Sequence, residues 1–355
     1  MIPTDARRPR WHDYLRGNEK NSMQHDLGTV VLKGGERVEA AAIAAPDAAW
    51  ADRLTGFLAH KGEPWNWGNA EVLTRPTGIE AFFYVLHRNG VPFSNIMTLE
   101  VNGVGLLGHV FTRHEDRRKG ACNKLMGLQM EHFRARGGRA LFLGTGFQSP
   151  AYYIYAGHGF QGIEDKSGCM QYYVGKREEF EASWFAGAAA EMEPLAMAHW
   201  PIFAPLFAGG FQGQVRCARL GIIGRSSGEG QILRALYEDR LPMEGRGPRA
   251  LILRSAQSGA PVGFATYGSH PVWAELRLVD IFCHPDFWAR AGDLLASQPA
   301  PPSGHFIAYA DVGWTDKDRV LRRAGFRQTA VLARRAPQSS AKTAFIDVAV
   351  YEKEI

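Results

Sequence analysis

Residues 106–160 read LLGHVFTRHEDRRKGACNKLMGLQMEHFRARGGRALFLGTGFQSPAYYIYAGHGF, and two signals within this stretch decide the fold. The first is an apolar strand that runs into a basic, glycine-containing turn and then a helix. On that helix Cys122, Met126, Met130 and Phe133 recur at helical spacing with Leu125 beside them, and Gly137-Gly138 supply the stop. The second is the strand ALFLGTG, a loop, a short aromatic helix and Gly159-Phe160. Backbone N–H groups exposed at a helix N-terminus form a ready anion site, and Arg117, Arg118 and Lys119 add positive charge to this one.

Together these signals resemble the acyl-CoA site of the GNAT superfamily of N-acyltransferases. The superfamily's pyrophosphate loop reads Arg/Gln-x-x-Gly-x-Gly/Ala; here it is Arg117-Arg118-Lys119-Gly120-Ala121-Cys122, departing at Cys122. The second signature, Asn-x-x-Ala-x-x-x-Tyr-x-x-x-Gly-Phe, runs from Gln148 through Ala151 and Tyr155 to Gly159-Phe160. Gln148 replaces Asn and keeps a side-chain amide that both donates and accepts.

Outward from this stretch, 355 residues point to two domains, each long enough to bury a core. A 45% hydrophobic and 22% charged composition is that of an ordinary globular chain. A net charge of +5 suits an anionic ligand without selecting one. The four cysteines, Cys122, Cys169, Cys217 and Cys283, form no CxxC pair, so neither a metal site nor a disulfide framework is expected, and a reducing cytoplasm is. The first residues, MIPTDARRPRWHDYLRGNEK, lack the apolar core of a signal peptide, and no apolar run reaches bilayer-spanning length.

Residues 1–36 read as a polar extension. From Arg37 the expected order is a strand, a helix N-capped by Asp47, the turn-rich segment HKGEPWNWGN, and three strands (EAFFYVLH, SNIMTLEV, LLGHVFT) separated by Asn89-Gly90 and Asn102-Gly103. The second half repeats this grammar. RALILRS, PVGFATYG and ELRLVDIFCHP read as strands, FWARAGDLLAS as a helix, HFIAYADV as a strand, DKDRVLRRAGF as a helix ending in Gly325-Phe326, and the chain closes on a hairpin. The expectation is a mixed-sheet α/β (α+β) fold duplicated in tandem, with GNAT-like domains over 37–182 and 183–355. In the second copy Trp288 stands in the turn and Leu321 occupies the position of Tyr155, so a single active site, in the first half, is expected.

The resemblance implies a direct transfer from acyl-CoA, with acetyl-CoA as the expected co-substrate, to the primary amine of a small molecule. It places the cofactor against Val110, Phe111 and Thr112, with N–H groups from Arg118 to Asn123 holding the pyrophosphate and Arg117, Lys119, Gly120, Ala121, Cys122, Gln148 and Ala151 contributing. It makes Tyr155 the acid that protonates the leaving thiolate; a phenol with a pKa of about 10 is protonated at neutral pH. Two residues remain open as base, His109 and Glu100. Trp65 and Trp67 are the expected acceptor-site lining, with Glu63 able to hold a cationic amine. Competing readings are an aminoacyl-tRNA-dependent transferase, which the basic balance and Arg7, Arg8, Arg10 and Arg16 permit, and a non-catalytic acyl-CoA-binding module.

Overall fold

In the computed structural model, which describes residues 24–187, 189–240, 249–299 and 303–355, the first half is built on an eight-stranded sheet. Its strands are β1 (Gln24–Val31), β2 (Arg37–Ala45), β3 (Glu80–Arg88), β4 (Val91–Val101), β5 (Val104–Thr112), β6 (Ala140–Gly144), β7 (Gln161–Gly162) and β8 (Cys169–Tyr173), in the order β1-β2-β3-β4-β5-β6-β8-β7. Among the described residues of this sheet only β5 and β6 pair in parallel, joined by the crossover helix α3 (Ala121–Ala135). Helices α1 (Ala48–Leu58) and α2 (Trp65–Thr74) precede β3, α4 (Pro150–Gly157) follows β6, and α5 (Arg177–Trp184) leads into the second half.

The second half comprises β9 (Ala190–Pro194), α6 (Ala204–Ala208), β10 (Val215–Cys217), β11 (Ile222–Ile223), α7 (Glu229–Asp239), β12 (Ala250–Ser255), β13 (Pro261–Ser269), β14 (Leu276–Cys283), α8 (Ala291–Ala296), β15 (His305–Asp311), α9 (Thr315–Arg323), β16 (Arg327–Pro337) and β17 (Phe345–Glu354). Its seven-stranded sheet, read from the other edge, runs β9-β12-β13-β14-β15-β17-β16. This matches β2-β3-β4-β5-β6-β8-β7 strand for strand, with β14 and β15 as the parallel pair. The helix ends match too: Phe160 N–H donates to the Tyr155 carbonyl and Phe326 N–H to that of Leu321. The fold is therefore a mixed α/β architecture duplicated in tandem.

Burial explains why the halves are not independent. One apolar core joins Phe83, Met97, Leu99 and Phe142 of the first sheet to Phe264, Ile281 and Phe282 of the second, through Trp200, Phe203 and Phe207. A second core, on the other face of the first sheet, is made by Phe82, Ile96, Leu107 and Leu141 under Leu125, Met126, Met130 and Phe133. The stripe expected on α3 is thus its buried face. Asp47 caps α1 as its position before an alanine-rich run predicts, accepting from Ala49 N–H (2.9 Å) and Trp50 N–H (3.1 Å). Replacing Asp47 with Ala should cost about 1 kcal/mol in urea denaturation.

Three features differ from the sequence reading. Gln24–Val31, expected within a polar extension, is an edge strand on β2; residues 1–23 lie outside the described residues. Trp65 and Trp67, expected in a turn, open helix α2, because Pro64 can stand ahead of a first turn whose N–H groups need no helical partner. The hairpin of β10 and β11 was not expected at all.

That hairpin closes the second copy's cleft. The parallel pairing of β14 with β15 ends at Leu278 and Ile307, and the strands then part. Across this gap Asp311 accepts from Gln214 N–H and Val215 N–H, and Asp280 accepts from Ala218 N–H. Lys317, fully buried, donates to the Val215 carbonyl (2.9 Å) and to Asp280 (2.6 Å). A buried ion pair of this kind holds only because each charge has further hydrogen-bond partners. No register shift interrupts β13 against β14.

Candidate active site

The first copy shares the parting of the parallel strands and differs in the strand edge beside them. β5 pairs with β6 only through Val104–Leu106 and Ala140–Phe142; beyond them the strands separate. On its other edge β5 slips against β4, so that Ile96 faces both His109 and Val110. His109 takes φ +52° at this bulge. The extra residue changes the alternation of faces: Gly108 and His109 both lie toward α2, whereas Val110 packs toward α3 and α4. Asn95 fixes the bulge by donating to the His109 carbonyl at 3.0 Å.

At the mouth of the cleft, the turn before α3 is held from beneath. Arg88 makes two hydrogen bonds to buried Asp116 (2.8 and 3.1 Å), and Lys119 donates to the same carboxylate at 2.9 Å. Arg117 Nε reaches back to the Thr112 carbonyl at 3.1 Å. Arg118 and Gly120 have φ of +65° and +81°, which turns the backbone into a concave arc before the helix. No side chain among the described residues caps α3. Among the described residues, no backbone carbonyl or side chain accepts from the N–H groups of Arg118 to Asn123. Lys119 is thus part of the scaffold, while the exposed Arg118 points its charge into solvent at the arc.

Tyr155 sits behind the arc on α4, which Ser149 caps at Tyr152 N–H (3.1 Å). It is almost fully buried, packed toward Phe160. Burial pushes its phenol above the ordinary value, and the nearby Cys122 and Glu229 push the same way. Cys122 lies half-buried in the first turn of α3, its thiol pushed up by burial to about 11 and hence neutral. Asn123 Oδ1 accepts from His158 Nε2 (3.1 Å), tying α3 to the end of α4. Gln148, exposed, takes φ +57° in the loop before α4, and Ala151 packs against the core beneath that helix.

On the opposite side of the sheet, His109 is nearly buried, with its Nδ1 3.2 Å from the Asn69 side-chain nitrogen and its ring edge-on to Trp65. Burial first, then Lys61 and His60, pull its pKa down to about 3. Phe111 packs against Phe57 and His60, and Thr112 shares a hydrogen bond with Ser94. Trp65 therefore joins the cleft. Trp67 does not: it faces Tyr237 of α7, beneath Arg240. Glu63 is spent on the helix, accepting from Trp67 N–H at 3.1 Å.

Glu100 stands apart from all of this. Its carboxylate is buried on the α3 side, where Arg136 donates at 2.7 Å and Thr98 at 2.7 Å. The residue that sequence reasoning missed is Glu229, the first residue of α7. Its Oε1 lies so close over Gly108 that a Cβ there would be 2.8 Å away. Burial lifts its pKa to about 7 against the pull of Lys61 and the Gly144 N–H. It thus touches β5 and β6 where they part.

No family model and no curated protein matches this chain. Solved structures do resemble it. A phosphinothricin acetyltransferase of the GNAT superfamily from Sinorhizobium meliloti, in complex with AcCoA, is 14% identical, covering 47% of this chain and 88% of its own, with TM-score 0.35. A ribosomal-protein-alanine N-acetyltransferase from Brucella melitensis is 16% identical over 46% of this chain and 99% of its own, with TM-score 0.34. A GNAT-family acetyltransferase from Staphylococcus aureus is 15% identical over 38% and 99%, with TM-score 0.30.

Proposed function

We propose that the first half transfers an acyl group, acetyl in the simplest case, from CoA to the primary amine of a small acceptor. The observation that carries this reading is the first cleft itself: β5 and β6 part beneath an uncapped helix N-terminus, with a buried phenol alongside. The arc from Arg118 to Asn123 offers its N–H groups to the pyrophosphate, as helix N-termini do for anions. The exposed edge of β5 past Leu106 offers backbone partners for the pantetheine arm and the thioester carbonyl. Tyr155 gives its proton to the thiolate as the carbon–sulfur bond breaks, and recovers one from solvent. The acceptor enters past Trp65 and His109.

The second half acts as a wall of this site, its own cleft being filled by residues 214–218. The aminoacyl-tRNA alternative gains no support from the turn, whose concave backbone suits a compact pyrophosphate. The reading is tested by acetyl-CoA-dependent acylation of a panel of primary amines, followed by CoA release. Glu100→Gln should keep the transfer rate and lower stability by about 1–3 kcal/mol, because Arg136 loses its buried carboxylate partner. Equilibrium denaturation alongside the rate assay checks both halves of that statement.

A further inference from the structure

Glu229 belongs to the second half by sequence and to the first half's cleft by position. Its backbone is fixed: Trp200 Nε1 donates to its carbonyl at 2.9 Å, and the next residue, Gly230, lies against Trp65 so tightly that a Cβ would be 3.3 Å from the ring. Its side chain reaches Gly108 on β5 and the Gly144 N–H on β6, bridging the two strands just past their last pairing. The charged and titratable groups facing it are Lys61 from the turn after α1 and Tyr155 from α4, with His109 next to Gly108 on β5.

We propose that Glu229 is the base of the transfer, supplied by the second half to the site of the first. This rests on reading the cleft as an acyl-CoA site. The acceptor nitrogen gives one proton to the Glu229 carboxylate and forms the bond to the thioester carbon. The carbon–sulfur bond then breaks, its electron pair leaves on sulfur, and Tyr155 protonates the thiolate. The products are the amide and free CoA; Glu229 returns its proton to solvent, from which Tyr155 is reprotonated.

Geometry and chemistry favour Glu229 over the two residues expected from the sequence. Glu100 is committed to Arg136 on the other side of the sheet. His109 is so weak a base, at about 3, that it holds no proton in the neutral range. Glu229, lifted to about 7 by burial, can accept a proton at neutral pH and release it again. Lys61 opposite it keeps the carboxylate partly ionised.

The test combines three readouts on the full chain. With acetyl-CoA saturating and the best amine of a panel of amino acids, amino acid amides and diamines also saturating, kcat should rise with pH through about 7 to a plateau. Glu229→Gln should lower the plateau by about 10²–10⁴-fold and abolish the rise, and Glu229→Asp should restore part of the rate. Lys61→Met should move the rise to higher pH, since it removes the charge that favours the carboxylate. An unchanged rate and profile in Glu229→Gln would overturn the proposal.

Infrared titration gives a readout that needs no acceptor. A carboxyl band titrating near pH 7 in the wild type should vanish in Glu229→Gln, and its absence from the wild type overturns the proposal. Calorimetry with acetyl-CoA separates the premise from the inference. Glu229→Gln should bind acetyl-CoA as the wild type does, whereas a wild type that fails to bind defeats the reading of the cleft itself.

Discussion

Tyr155→Phe should lower acetyl transfer by at least about a hundredfold while leaving acetyl-CoA affinity unchanged. The variant keeps the ring that packs toward Phe160 and removes only the hydroxyl, so the fold is conserved. What is lost is a proton donor to the leaving thiolate. Burial holds the phenol protonated above its ordinary range, so its ionisation imposes no decline in rate on the alkaline side below about pH 10. Initial rates at saturating acetyl-CoA, set beside calorimetric affinity, check both parts. Wild-type turnover in the variant would remove Tyr155 from the chemistry.

Gly120→Glu should abolish acetyl-CoA binding, by about a hundredfold or more in affinity. Two effects add. Gly120 has φ +81°, a backbone conformation that an L-residue adopts at a cost of about 1–2 kcal/mol, so the arc of N–H groups is deformed. A carboxylate also arrives beside the N–H groups that are proposed to receive the pyrophosphate, and each charge-assisted hydrogen bond lost is worth about 1.5–3 kcal/mol. The side chain itself has room, its nearest neighbour being the flexible stem of Lys33 at 3.7 Å. Gly120→Ala carries the backbone effect without the charge and should retain part of the affinity. Circular dichroism of both variants checks that the fold persists.

Local features were legible in the sequence and long-range placements were not. The arc at Gly120, the helix α3 with its buried stripe, and the helix–Gly-Phe stop carrying Tyr155 are each set by a few neighbouring residues, and spacing alone reports them. The duplication was legible for the same reason, since strand and turn signals recur in the same order in both halves. His109 and Val110 could not be assigned faces from strand alternation, because the bulge opposite Ile96 resets it. Glu100 looked available because its partner, Arg136, comes from the end of α3, brought back over the sheet only by the crossover.

Glu229 was hidden in the other half of the chain, among SSGEGQILRAL. There the Gly228-Glu229 start and the apolar spacing of Ile232, Leu233 and Leu236 announce a helix and say nothing of what its first residue touches. The same limit applies to the hairpin at residues 215–223. Its function as a plug follows from Asp280, Asp311 and Lys317, which come from three separate elements. Lys317 in particular reads as one more exposed cation in a charged helix, and is fully buried.

We propose one acyl-CoA site per chain, in the first half, the second cleft being filled by the chain itself. Calorimetric titration of the wild-type chain with acetyl-CoA tests it most directly. One acetyl-CoA bound per chain, and none in Gly120→Glu, is the predicted result. Two sites per chain, no binding, or binding untouched by Gly120→Glu would contradict it.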